Sequence, residues 1–72
     1  MTGLPYLEII VKRRFLFWSY WQLIHRAPAR DNFRELIDAY ARKHVDQRGQ
    51  ELHWTLSNKQ RIIDGGIIRP TR

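Results

Sequence analysis

The stretch Phe15-Leu16-Phe17-Trp18-Ser19-Tyr20-Trp21-Gln22-Leu23-Ile24 constrains the chain most, because it holds two of the three Trp and two of the three Phe residues. Read as a helix at about 100° per residue, the segment Leu7 to Arg26 places Leu7, Ile10, Val11, Phe17, Trp18, Trp21 and Ile24 on one broad face. A second apolar row, Ile9, Leu16, Tyr20 and Leu23, follows beside it and leaves only a narrow polar wedge. A surface helix needs one stripe. Two rows imply a central helix, or one that buries its second row on another molecule.

The expectation is therefore a mostly α domain whose long first helix covers about residues 5–26. Pro5 suits its first turn, and Pro28 disfavours helical geometry at Ala27 and ends it. Trp18 and Trp21 are assigned to the core, and Phe15, Leu16, Tyr20 and Leu23 to a partner interface.

A second helix is expected over about residues 31–44. Phe33, Leu36, Ile37, Tyr40, Ala41 and His44 recur at helical spacing behind Asp31 or Asn32 as N-cap. Asp31, Glu35 and Asp38 precede Arg42, Lys43 and His44, an order that complements the helix dipole. This helix should pack antiparallel on the first. Residues 45–50 read as a loop. Over about 51–68 the patterns compete. Leu52, Trp54 and Leu56 alternate with polar residues as in a strand, while Ser57 and Gln60 fit a capping box that would open a short helix ending before Gly65. Asp64-Gly65-Gly66 between isoleucines could instead turn a hairpin. The short helix is preferred because it has both a start and a stop signal.

At 72 residues the chain forms one small domain, which buries only about 60% of its unfolded surface. It has no cysteine, so neither a disulfide nor a thiolate metal site adds stability, and homodimerisation is expected to supply the missing buried area. The cysteine count fits a reducing compartment, and a cytoplasmic protein is expected. No signal peptide or transmembrane segment is expected, since Lys12-Arg13-Arg14 interrupts the one apolar candidate.

The net charge of +6 is uneven: residues 1–30 carry +4, residues 59–72 carry +3 and the middle −1. A polyanion would meet both basic ends, which makes Arg13, Arg14, Lys59, Arg61 and Arg69 the candidate nucleic-acid contacts. Basic residues next to aromatics also suit single strands, whose bases stack on rings. The chemical inventory points away from catalysis. His25, His44 and His53 lack metal-ligand spacing, no phosphate-binding Gly-rich loop is present, and Ser19 and Ser57 have no base placed beside them. No enzyme, metal or cofactor is expected. Two functions remain: a nucleic-acid-binding regulatory module, DNA-binding among them, or a small regulator that docks its aromatic helix on a protein target, of the kind viruses and other mobile elements encode.

Overall fold

The computed structural model describes residues 5–59 and 61–70. Four antiparallel strands form one sheet: β1 (Tyr6–Phe15), β2 (Trp18–Pro28), β3 (Leu52–Asn58) and β4 (Arg61–Ile68), in the order β2-β1-β3-β4. Among these residues a single helix, α1 (Phe33–Ala41), continues into a π-helical segment, Arg42–Gln47, and joins the two hairpins.

The long first helix is thus corrected to a hairpin, and the mostly α domain to an antiparallel sheet with one short helical segment. The reason lies in the same residues. β-Branched and aromatic side chains fill Ile9 to Ile24 and fit a pleated, half-buried surface. Leu7, Ile9 and Val11 are fully buried at every second position, the period of a strand. The supposed helical rows are redistributed by the strand period: Leu7, Ile9 and Val11 share the buried face, while Ile10, Trp21 and Leu23 share the other.

The hairpin turns at Leu16-Phe17, between the paired residues Phe15 and Trp18. Leu16 takes φ +56°, as the mirror-image turns of two-residue hairpins require, although neither residue belongs to the usual turn formers. In the C-terminal region the strand reading of Leu52 to Leu56 holds. The preferred short helix is replaced by β4, paired from Asn58↔Arg61 to Leu52↔Ile68. The chain reverses after Lys59 (φ +59°), not at Asp64-Gly65, which lies within the strand. Gln60, the far half of the proposed capping box, lies outside the described residues, as do Met1 to Leu4 and residues 71–72.

The second helix is real but displaced. Its N-cap position is Asn32, without a side-chain cap bond, and its α-helical part ends at Ala41. Arg42, Lys43 and His44 therefore fall in the π-helical continuation, which extends into the segment read as a loop. Gly49, at φ +68°, closes it through hydrogen bonds from its own N–H to the Val45 carbonyl and from the Gln50 N–H to the His44 carbonyl, both 2.9 Å.

The helix packs on one face of the sheet, not on another helix. Leu7, Ile9 and Val11 of β1, with Leu52 and Leu56 of β3, meet Ile37 and Val45 of the helical segment and Ala29 of the connection. This connection is pinned where the Ala29 N–H donates to the Pro5 carbonyl (2.6 Å). A bulge between Ile9 and Ile10 leaves Ile24 as the extra residue of β2, and Ile24 packs against the core.

Pairing of β1 with β3 runs only from Tyr6 to Val11, with a last backbone bond from the Lys12 N–H to the Glu51 carbonyl (2.9 Å). Beyond it the β1–β2 hairpin runs on alone as a two-stranded arm. The radius of gyration is 13.0 Å and the extents are 46 × 23 × 15 Å, against about 11 Å for a compact chain of this length. No helix is long and apolar enough to cross a membrane, among the described residues.

Candidate functional site

With α1 on one side, the other face of the sheet carries no covering element among the described residues. Residues paired across strands share a face, so the register places Tyr6, Glu8, Ile10, Lys12 and Arg14 of β1 on this open face. Ser19, Trp21, Leu23 and Arg26 of β2 join them, with His53, Thr55 and Ser57 of β3. Trp21 sits opposite Lys12 and reaches diagonally across β1 to His53, with ring centroids 4.3 Å apart at 48°. The Lys12 ammonium lies 6.0 Å from the Trp21 ring centroid. Trp21 remains 43% exposed, so its assignment to the core is corrected, as is that of Trp18, which is 55% exposed on the arm.

His53 is oriented from behind. Its Nε2 lies 2.8 Å from Glu51 Oε2 and must donate the proton, since a carboxylate only accepts. Arg69 Nε approaches the same oxygen at 3.4 Å. The hydrogen bond from His53 holds the Glu51 carboxyl below the usual carboxylate range, and Arg69 adds to the effect against an opposing contribution from partial desolvation. At the lower end of the face Glu8 pairs with Arg26 at 3.0 Å, whose guanidinium lies 5.8 Å from the Tyr6 ring centroid.

Beside Lys12 the face falls into an open cleft of about 550 Å³ between the base of the arm and the connection into β3. Lys12, Arg14, Arg48, Gly49, Gln50, Glu51 and Pro70 line it. Three cations thus converge on one wall system with a single carboxylate, and that carboxylate is already engaged by His53 and Arg69.

The five basic residues expected to act together are divided by the fold. Arg14 lines the cleft, and Arg69 reaches its edge through Glu51. Arg13 points to the helix side of the arm, opposite Tyr20, where its Nε is buried without a hydrogen-bond partner among the described residues. Lys59 and Arg61 lie at the other end of the sheet, where β3 turns into β4. Of the expected partner-facing residues, Phe15, Leu16 and Tyr20 are exposed on the arm, and Leu23 is exposed on the open face. Lys12, Arg48, Trp21 and His53 are not among the contacts assigned from the sequence, where Trp21 is placed in the core and His53 has no ligand role. The alternation of Lys12 and Arg14 around Arg13 would have revealed the first, had the segment been read with a period of two.

The remaining histidines serve the helix side. Tyr40 links His25, with its hydroxyl 3.4 Å from Nδ1, to the buried His44, whose Nδ1 is 3.0 Å from Gln50 Oε1. Among the described residues no three His, Asp or Glu side chains gather as a metal ion would need. Nothing in this geometry is specific to DNA or to a viral origin, and neither description is retained. No family model, curated protein or solved structure shows significant similarity to the chain.

Proposed function

We propose that the protein is a non-enzymatic module that binds single-stranded nucleic acid on the open face of its sheet and acts as a homodimer. The observation that carries this reading is the grouping of Trp21 and His53 with Lys12 at the mouth of a cleft that also holds Arg14 and Arg48. A flexible strand can lay a base on an exposed ring while its phosphates follow the cations. A stiff duplex cannot deliver a base face to a sheet. The net charge of +6 adds long-range attraction to any polyanion.

The test is a salt-titrated anisotropy measurement with labelled single-stranded and duplex oligonucleotides. Single strands should bind more tightly than duplex. Trp21→Ala should cost about 1–3 kcal/mol of affinity. Lys12→Ala, Arg14→Ala and Arg48→Ala should each flatten the salt dependence by about 0.7 log units, whereas Lys59→Ala should do neither. Affinity that stays near about 10⁻⁴–10⁻⁶ M and ignores Trp21 would instead favour a protein target, for which the apolar hairpin tip around Phe17, 96% exposed, is the available surface.

A further inference from the structure

We infer that the outer edge of β2 pairs antiparallel with β2 of a second copy of this chain, joining two four-stranded sheets into one of eight strands. This rests on the dimeric part of the proposed function and not on nucleic-acid binding.

β2 is an edge strand, and an edge presents a row of unpaired backbone donors and acceptors. Proteins blunt such edges with charges, prolines, bulges or short strands. The upper part of β2 has none of these. From Trp18 to Leu23 it carries no formally charged residue, and its bulge at Ile24 and its proline at Pro28 lie below that stretch. The other edge is protected differently, with Arg61 and Asp64 within β4 and Arg69 just beyond it.

Neutrality also selects the partner. In a two-fold antiparallel pairing each residue near the axis meets its own counterpart or a close neighbour. On a chain of +6, a charged strand would bring like charges together, and β2 brings none. The arm supplies the second reason. Between Arg13 and Tyr20 it is a lone two-stranded ribbon with Phe15, Leu16, Phe17, Trp18 and Tyr20 exposed, and such a ribbon is marginal without a third strand. Pairing gives each arm that third strand from the other copy.

The symmetry fixes the outcome for the binding face. A two-fold axis that joins two edges into one continuous sheet stands perpendicular to the sheet, so both helices lie on one side and both open faces on the other. The two Trp21 sites then share one continuous surface.

Sedimentation combined with amide hydrogen exchange tests this on the intact chain. In a free edge strand only alternate N–H groups are bonded, those that point to β1. The inference predicts a dimer in which every amide from Ser19 to Leu23 is protected. Tyr20→Lys and Leu23→Lys, on opposite faces of the same strand, should each raise the dimer dissociation constant by at least about tenfold. Ile63→Lys, on the other edge, should leave it unchanged. A wild-type monomer at millimolar concentration, a dimer with only alternate amides protected, or a dimer lost with Ile63→Lys and kept with both β2 variants would each overturn the inference. Oligonucleotide affinity is not a readout here, so failure of the pairing and failure of the proposed ligand remain distinguishable.

Discussion

The indole of Trp54 lies against Gly66 of the neighbouring strand so closely that a Cβ at position 66 would fall 2.6 Å from Nε1 and 2.9 Å from Cε2. Trp54 also packs on Phe33 at a centroid distance of 6.2 Å, which ties the first turn of α1 to the β3–β4 hairpin. The missing side chain of Gly66 is thus what lets the helix sit on the outer strands.

Gly66→Ala should therefore destabilise the fold by about 1–3 kcal/mol, the usual cost of inserting a methyl where the neighbours must move. A strand glycine with open space around its Cβ position gains from the same change. Urea unfolding gives the sign directly, and a neutral or stabilising result would show that the indole does not rest on this glycine.

Sheet and helix differ most in what they demand of Ile9 and Trp21. Ile9 is fully buried between β2, β3 and the helix, so Ile9→Ala should cost about 2–5 kcal/mol, a large part of the roughly 4–11 kcal/mol expected for a domain of this length. Trp21→Ala loses a cross-strand contact on a solvated face and should cost about 0.2–1 kcal/mol. Equal losses in thermal melts would mean that the open face is covered within the protein.

Much of this was legible in the sequence and some was not. The helix behind Asn32 showed in the spacing of Phe33, Ile37, Tyr40 and His44, because one amphipathic stripe has one reading. Leu52 to Leu56 showed in its alternation. The first forty per cent of the chain did not, for a local reason: Leu16-Phe17 contains no Gly, Asn, Asp or Pro, so nothing marked the reversal that cuts the aromatic stretch in two. Without that break, dense apolar residues fit a period of 3.6 as readily as one of 2. The site was lost with it, since Trp21, Lys12 and His53 meet only once β1 lies between β2 and β3.

The turn itself offers a test. A leucine in the left-handed region costs roughly 1–2 kcal/mol, and glycine escapes that cost. Leu16→Gly should stabilise the hairpin by about 1 kcal/mol after its loss of chain entropy is counted, read as a higher denaturation midpoint with an unchanged slope. Destabilisation would indicate that the Leu16 side chain is held by contacts at the tip.

The acid side of stability should carry the signature of Glu51. Its folded pKa lies below its unfolded value near 4.5, so its contribution is present above about that pH and is lost as pH falls through the folded value. Wild type should lose stability relative to Glu51→Gln as the pH is lowered from 5 toward the bottom of the carboxylate range, a comparison that melts at matched pH provide. Parallel curves would mean that the Glu51–His53 bond is not maintained in solution.

The most direct test of the central claim is a ¹⁵N-resolved titration with a short single-stranded oligonucleotide. The claim predicts that the Trp21 indole N–H and the amides of Ile10, Lys12 and His53 shift together, while those of Ile37, Tyr40 and His44 on the helix side stay in place. Shifts confined to the helix or to Lys59 and Arg61, or none at oligonucleotide concentrations that saturate the anisotropy signal, would contradict it.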